Sequence, residues 1–320
     1  MLDANSEKSV LVMLAAYNGS KYIKEQVDSI LNQKDVQVHV LVRDDLSKDG
    51  TVELLEEFYG DDNRVEIIRA KKNLGCAQSF LTMAMNADHD YDYYAFSDQD
   101  DFWKEDRLAR AISAIEKERQ QYRSVLYCSN REEVDENKNF LYYNVPIENN
   151  DRYKKLDYLL YVRNIAPGNT MVFSESFLDH LKAAKEIDLP SGFYHDYWVH
   201  IVAASLKDTS VVYDMSYGGV QRRLTGSNLA GFNREKGRGL KARFKQFSNY
   251  NSGSLRFIAN EVITRYQGCI DEQSLELLRL FASANSLKSR ILLLTRSKNV
   301  KYDSIKGRLF GLYKLLLGKI

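Results

Sequence analysis

Tyr91-Asp92-Tyr93-Tyr94-Ala95-Phe96-Ser97-Asp98-Gln99-Asp100-Asp101-Phe102-Trp103 is an aromatic, apolar segment that runs directly into three carboxylates. Residues two apart on a strand point to the same face. A strand that persists one step past Ser97 therefore projects Asp98 and Asp100 together at its carboxyl end. Two hard oxygen ligands there suit a divalent cation shared with a substrate phosphate. The same residues also read as an acidic turn, with Asp101 or a neighbour capping the next helix. The flanking sequence decides between the two.

Upstream, a strand followed by a polar turn and a helix recurs three times. Val10 to Leu14 is a short apolar run, read as a buried strand, and it ends at Ala15-Ala16-Tyr17-Asn18-Gly19, where Asn-Gly signals a turn. Tyr22, Ile23, Val27, Ile30 and Leu31 then recur at helical spacing. Val36 to Val42 alternates, with β-branched residues at every second position, and ends at Arg43-Asp44-Asp45-Leu46-Ser47-Lys48-Asp49-Gly50. A helix over Thr51 to Tyr59 follows, with Val52, Leu55 and Phe58 expected inward. Val65 to Ile68 is a third strand, and Asn73-Leu74-Gly75 turns into a helix over Cys76 to Asn86. The opening stretch is the fourth strand, and Leu108, Ile112 and Ile115 mark the helix after it. Four strand–helix alternations predict an α/β fold with an open, mostly parallel sheet. Each polar loop lies at the carboxyl end of a strand, where such sheets bind ligands. No Gly-x-Gly-x-x-Gly follows the first strand and no Walker A sequence occurs, so the ordinary dinucleotide and P-loop readings lose support.

Downstream of Gln121 the pattern loosens. Val125 to Ser129 reads as a strand, and Glu132 to Asn150 as a polar loop with room for a hairpin around Leu141-Tyr142-Tyr143. Ala166-Pro167-Gly168-Asn169 leads into a strand over Thr170 to Phe173. Pro190 to Tyr197 is a loop entering a helix over Trp198 to Leu206, and Val211-Val212-Tyr213 is the last strand. Beyond Gly239 the chain reads as helical and basic, with Leu275, Leu278, Phe281 and Ala282, then Ile305, Leu309, Leu312 and Leu316, at helical spacing.

The composition, 320 residues with 44% hydrophobic and 28% charged, is that of a globular chain of one large domain with an appendage, or of two domains. Cys76, Cys128 and Cys269 are far apart and odd in number, which predicts no disulfide framework and a reducing compartment. Met1 to Lys8 is polar and holds no apolar signal core, and no apolar run approaches a membrane span of about 18 residues. The net charge of +1 hides an asymmetry. Residues 1–230 hold 27 Lys and Arg against 38 Asp and Glu, and residues 231–320 hold 18 against 6. A basic tail on an acidic body predicts contact with an anionic surface, or a solvated helical face. It lacks interleaved aromatics and any nucleic-acid motif, so nucleic acid is not an expected partner.

The four turn sequences, in this order and each after a strand, resemble the family-2 inverting glycosyltransferases of the GT-A fold. The Tyr-Asn-Gly and Ser-Asp-Gln-Asp-Asp forms look most like bacterial rhamnosyltransferases of cell-wall or capsular polysaccharide synthesis. The resemblance covers about residues 8–230. It implies a Rossmann-like mixed, mostly parallel sheet flanked by helices, with residues 1–230 as the transferase domain and residues 231–320 as a helical C-terminal extension for membrane or dimer contact.

The resemblance also implies roles. Ala15, Tyr17 and Asn18 line the nucleobase, with Tyr17 stacking on a pyrimidine unless it is a rim aromatic. Asp44 accepts the base N3–H, or else stabilises its turn, and Asp45 is the turn residue of the pair. Asn73 and Gly75 face the nucleotide. Asp98 lies near the ribose and beside the metal, and Asp100 binds it, as Mg2+ or Mn2+. Gly168 and Asn169 face the donor phosphates or sugar. Trp103 lines the sugar pocket or packs in the core. An inverting transfer needs one general base, which the family places at a helix start, usually as Glu-Asp. The matching pair here is His195-Asp196, so Asp196 is the expected base and His195 the competitor. The family's Arg-X-His after the last strand is replaced by Gln221-Arg222-Arg223 with no His. Arg222 or Arg223 then supplies charge to the diphosphate, unless both form a solvated basic pair.

The implied activity is transfer of L-rhamnose from dTDP-rhamnose to a polyprenyl-linked glycan, on the cytoplasmic face of an anionic membrane, with a homodimer through the tail as a further expectation. A UDP-galactose or UDP-glucose donor is the alternative within the class, and a non-catalytic nucleotide-sugar or glycan-binding module the alternative outside it.

Overall fold

A computed structural model describes residues 7–145, 147, 151–190, 192–224 and 254–318. The chain divides into two compact units, Met1–Asn149 with Ala166–Lys185 and Ser210–Ser227, and Asn150–Ile165 with Glu186–Thr209 and Asn228–Ile320.

The strands are β1 (Ser9–Ala16), β2 (Gln37–Asp44), β3 (Val65–Arg69), β4 (Tyr93–Asp98), β5 (Asp101–Trp103), β6 (Ser124–Val134), β7 (Phe140–Tyr143), β8 (Val172–Ser174) and β9 (Thr209–Arg223). The helices are α1 (Ile23–Leu31), α2 (Thr51–Tyr59), α3 (Cys76–Asn86), α4 (Arg107–Glu118), α5 (Leu156–Tyr161), α6 (Glu175–Lys182), α7 (His195–Ser205), α8 (Ser254–Tyr266), α9 (Glu272–Ala282), α10 (Leu287–Arg296) and α11 (Ile305–Leu317). One mixed sheet runs in the order β3-β2-β1-β4-β8-β6-β9-β5, with β7 paired to β6. Its first four members are parallel, as the alternation predicts; β8, β6, β7 and β5 enter antiparallel pairings.

Both faces of the parallel half are covered, which explains its continuous apolar runs. Val10, Val12 and Leu14 pack with Ile23, Val27 and Ile30 of α1 and with Leu108, Ile112 and Ile115 of α4. On aromatic residues, Phe80 of α3 meets Phe96 at 5.3 Å between ring centres, Phe96 meets Phe173 at 5.3 Å, and Phe173 meets Phe177 of α6 at 5.7 Å. In α2 the inward row is Val52, Leu55 and Tyr59; Phe58, expected inward, is exposed and carries the Lys24 ammonium over its ring.

Two elements are longer than the sequence pattern predicts. β9 runs from Thr209 through Arg223, so Gln221 and Arg222 are strand residues paired with β5, and Arg223 closes the strand, rather than forming a loop beyond it. Asp214 and Gly218-Gly219 interrupt the apolar alternation and hide this. The polar stretch from Glu132 likewise begins as strand, since β6 extends to Val134 and pairs with β7 in the hairpin expected near Leu141.

In the second unit, helix α7 starts at His195, three residues before the predicted start. Trp198 of α7 lies 6.4 Å from Tyr266 of α8, and Tyr161 of α5 meets Phe281 of α9 edge-on at 5.1 Å. Asp303 accepts from Tyr158 Oη at 2.8 Å and pairs with Arg152 and Arg163. The helical reading past Gly239 is met from Ser254 onward; the stretch from Gly239 to there, and the expected domain boundary at 230, lie outside the described residues. Asp271, Ser286 and Ser304 cap α9, α10 and α11 through side-chain oxygens.

Candidate active site

Register fixes where the candidate residues lie. Ala16 at the end of β1 is opposite Asp44 on β2, and Ala15 is opposite Asp98 on β4. The loops after three parallel strands therefore end at one edge, with Asp44 and Asp98 flanking β1.

The turn after β1 is held by side chains from its neighbours. Gln99 clasps the Tyr17 backbone from both sides, accepting from its N–H at 2.7 Å and donating to its carbonyl at 3.0 Å. Gly19 permits that clasp, because a Cβ there would overlap the Gln99 amide. Asn18 adopts a left-handed φ of 50°, donates its N–H to Ser47 Oγ at 2.8 Å, and accepts from the Lys48 N–H at 2.8 Å. With its backbone fixed, the Tyr17 ring stands 48% exposed. Such a ring offers a flat apolar face for stacking.

Asp44 and Asp45 are neighbours with different tasks. The Asp45 carboxylate pairs with Arg43 at 2.6 Å and accepts the Leu74 and Gly75 N–H groups at 2.9 and 2.7 Å. Asn73 donates to the Asp45 carbonyl at 2.8 Å, so its amide holds the loop. Gly75, at φ 76°, begins α3 in a conformation that a side chain would strain. Asp45 is thus the turn residue, as expected. Asp44 is buried; one oxygen accepts the Ser47 N–H at 3.0 Å, and Oδ2 is buried with no hydrogen-bond partner. A buried, unmatched acceptor is costly unless a donor arrives.

The acid cluster follows β4. Burial, then the neighbouring Asp100, pushes the Asp98 carboxyl up to about 6. Burial also raises Asp100, against the opposing pull of Arg222, Arg223 and Arg131. Asp101 begins β5 instead of capping a helix; it is buried, and burial with the charges of Asp98 and Asp100 holds it well above the carboxylate range. Its Oδ2 accepts from Asn169 Nδ2 at 2.5 Å, while Oδ1 is buried without a partner. Asn169 lies in a 3₁₀ turn over Gly168–Thr170, and its carbonyl accepts from the fully buried Arg107 at 2.8 Å. The Arg107 guanidinium lies 3.5 Å above the Trp103 ring, which packs in the core cluster.

Arg222 and Arg223 are buried strand residues, not a solvated pair. Arg222 is the register partner of Asp101 and pairs with Glu133 at 3.2 Å; Arg223 pairs with Glu25 and lies over the Tyr22 ring. Gln99, Arg107, Arg131 and Glu133 are absent from the sequence-based set. Gln99 was visible as the middle residue of Ser-Asp-Gln-Asp-Asp; the others carry no local signal.

Among the described residues no three His, Cys, Asp or Glu side chains converge as a metal cluster. Asp98 and Asp100, two residues apart with the Asp98 carboxyl raised by its neighbour, would suit a divalent cation, because a positive charge offsets that repulsion.

In the second unit Asp196 lies in the first turn of α7, where the helix dipole favours a carboxylate, and its Oδ1 accepts the Tyr197 N–H at 2.7 Å. His195 is buried, and burial pushes its imidazole down to about 3.

The model of the family described as "Glycosyl transferase family 2" matches residues 11–181. A dTDP-rhamnosyl transferase, RfbG, of Shigella flexneri is 38% identical over 105 residues, covering 32% of this chain and 36% of that protein. A putative teichuronic acid biosynthesis glycosyltransferase, TuaG, of Bacillus subtilis is 32% identical over 108 residues, covering 34% and 42%. The matches thus span less than half of each of these relatives. Among solved structures, residues 1–349 of S. aureus TarS superpose with a TM-score of 0.57 at 17% identity, covering 97% of this chain and 81% of that one. The mannosyltransferase PcManGT from Pyrobaculum calidifontis, in complex with GDP-Man and Mn2+, gives 0.52 at 15% identity, covering 98% and 81%. The likeness establishes a GT-A type fold.

Proposed function

The chain belongs to glycosyl transferase family 2, and from that premise we propose that it is an inverting, metal-dependent transferase of L-rhamnose from dTDP-rhamnose to a polyprenyl-linked glycan in cell-wall or capsular polysaccharide synthesis. The observation that carries the reading is the register that sets Asp44, at the end of β2, and Asp98, at the end of β4, on either side of β1, with Asp100 and Asp101 directly following Asp98 in the chain.

The pyrimidine stacks on Tyr17, with Ala15 and Asn18 shaping the turn beneath it, and its N3–H goes to the unmatched Asp44 oxygen. Asn73 and Gly75 form the adjoining loop, and Gly168 and Asn169 face the phosphates or sugar. Asp98 and Asp100 would hold Mg2+ or Mn2+, which when bound would offset charge developing on the diphosphate. Arg222, with Arg223, adds guanidinium charge to the same leaving group. Asp196 takes the proton of the acceptor hydroxyl as its oxygen bonds to the anomeric carbon and the carbon–diphosphate bond breaks. His195 stays neutral at working pH with little affinity for a proton, which supports Asp196 as the base. The rhamnosyl assignment rests on the partial likeness to the Shigella protein; UDP-galactose and UDP-glucose are the alternative donors.

The chain's catalytic domain is residues 1–230, and residues 231–320 are its contact region. Among the described residues no helix is long and apolar enough to cross a membrane. Ile305, Leu309, Tyr313 and Leu316 form an exposed row along α11, and Leu287 and Ile291 are exposed on α10, with exposed Lys288, Lys306 and Arg308 among them. An apolar row flanked by cations suits the interface of an anionic membrane, on its cytoplasmic face, where a lipid-linked acceptor lies. Flotation with anionic vesicles is expected for the full chain and not for one ending near Asn299; equal flotation of both removes the membrane role and leaves packing, within the chain or in a homodimer.

The donor is tested by incubating the chain with a panel of nucleotide sugars and measuring nucleotide release with Mg2+ or Mn2+ and an extract of lipid-linked glycan. Release is expected with dTDP-rhamnose. Binding of a donor without release, whatever the acceptor, overturns the enzyme reading in favour of a binding module.

A further inference from the structure

Two neighbouring glutamates on β6 send their carboxylates to opposite faces of the sheet, as strand alternation requires. Glu132 pairs with Lys104 at 2.6 Å and accepts from Gln221 at 2.9 Å. Glu133 is buried and pairs with two guanidiniums: Arg131 Nε reaches Oε1 at 2.8 Å and Arg222 Nη1 reaches Oε2 at 3.2 Å. The two arginines come from different strands, and Arg222 is the direct register partner of Asp101. One carboxylate therefore ties together two guanidiniums across β6 and β9, and β9 continues the row to the acid cluster on β5.

This group carries one more positive charge than negative, and it faces carboxylates. Arg222 lies opposite Asp101 in register, and Asp101 follows Asp98 and Asp100 directly where β4 ends. A buried ionic network is an expensive way to stabilise a sheet, since apolar residues of similar volume serve as well. It is an effective way to hold two planar donors rigid. Each guanidinium carries five N–H donors in a fixed fork that matches phosphate oxygens.

We infer that Arg131 and Arg222 form a paired receptor for the diphosphate of the donor, and that Glu133 is the positioning residue that holds the pair beside the metal-binding carboxylates. The inference rests on the nucleotide-sugar reading above and adds Arg131 and Glu133 to it. Arg131 contacts the leaving group; Glu133 acts only through the two arginines. The pair supplies affinity for two phosphates that does not depend on the cation.

The test is calorimetry on the full chain in EDTA, with thymidine, dTMP and dTDP, and with uridine, UMP and UDP. The wild type is expected to bind the diphosphate more tightly than the nucleoside. In Arg131→Ala and Glu133→Gln that advantage is expected to fall by about tenfold or more, the worth of a charge-assisted hydrogen bond, with nucleoside affinity unchanged. Arg131→Lys is expected to recover part of it. Should Glu133→Gln fail to fold, the two Arg131 variants decide the matter. Unchanged diphosphate affinity in Arg131→Ala, or an equal loss for nucleoside and diphosphate, overturns the inference while leaving the transferase reading intact. A wild type that binds none of the six overturns the nucleotide-sugar reading itself, and the inference with it.

Discussion

Asp45 and Asp100 lie at the ends of neighbouring parts of the same sheet, and their surroundings treat a carboxylate in opposite ways. Around Asp45, the protein supplies an arginine and two backbone N–H groups, and the loop Asn73-Leu74-Gly75 is built on that charge. Around Asp100, burial raises the carboxyl against the pull of Arg222, Arg223 and Arg131, and Asp100 in turn raises Asp98 and Asp101. The first region is complete within the chain, apart from one oxygen of Asp44. In the second, the carboxyls of Asp98 and Asp100 stay raised despite the pull of Arg131 and Arg222. On the function proposed above, the difference separates residues that build the site from residues that would do its chemistry.

Substitutions can break that separation. The largest effect is expected for Asp100→Asn, which replaces a charged, two-oxygen ligand by one neutral oxygen. Transfer should be abolished and donor binding in Mg2+ or Mn2+ weakened, measured by nucleotide release and calorimetry; full activity, or wild-type activity that survives excess EDTA, sinks the metal assignment.

Asp196→Asn changes a residue of the second unit. Its rate should fall by about 10²–10⁴, the usual worth of a general base, with donor affinity within a few-fold of wild type. Loss of donor binding as well makes the residue structural, and the same phenotype in His195→Ala moves the base there.

The adjacent pair Asp44 and Asp45 sharpens the comparison. Asp45→Ala leaves Arg43 buried without its partner and should cost about 3–5 kcal/mol of stability, read in a urea melt. Asp44→Ala should barely move that melt yet weaken nucleoside binding by about tenfold. If both variants lose stability alike, Asp44 is a turn residue and its open oxygen has no ligand.

The smallest effect is in pH. Asp98, raised to about 6 from 3.8, keeps a proton in the folded chain across a window where the unfolded chain has lost it. The folded state binds more protons there, so this group's contribution to stability falls as pH rises from about 4 to 6. Above that window a cation relieves the penalty; below it the cation competes with the proton. Mn2+ should therefore raise Tm by a few degrees more at about pH 7.5 than at about pH 5. An equal rise at both contradicts the crowding of the acids.

Sequence periodicity carried the parallel half of the fold, because buried parallel strands are apolar runs ended by polar turns. Asp44 and Asp98 were placed for the same reason, since each closes a strand; Asp100 lies in the turn between β4 and β5, not on a β4 that runs one step further. The antiparallel half was less so. β9 is interrupted by Asp214 and Gly218-Gly219, and its partners β5 and β6 come from stretches about 90 to 120 residues earlier in the chain. Local spacing cannot report that Arg222 lies opposite Asp101, or that Glu133 joins it to Arg131. The start of α7 was misjudged because Trp198 is the first apolar anchor of its pattern, while His195 is buried despite being polar.

The central claim is that the acid cluster holds a divalent cation together with a nucleoside diphosphate. Electron paramagnetic resonance reads this directly, since free Mn2+ gives a sharp six-line spectrum that binding suppresses. With the wild-type chain and dTDP or UDP, the free signal should fall in proportion to protein added, and it should return in Asp100→Asn. A free Mn2+ signal that is the same with and without the wild-type chain, in the presence of either nucleotide, contradicts the claim.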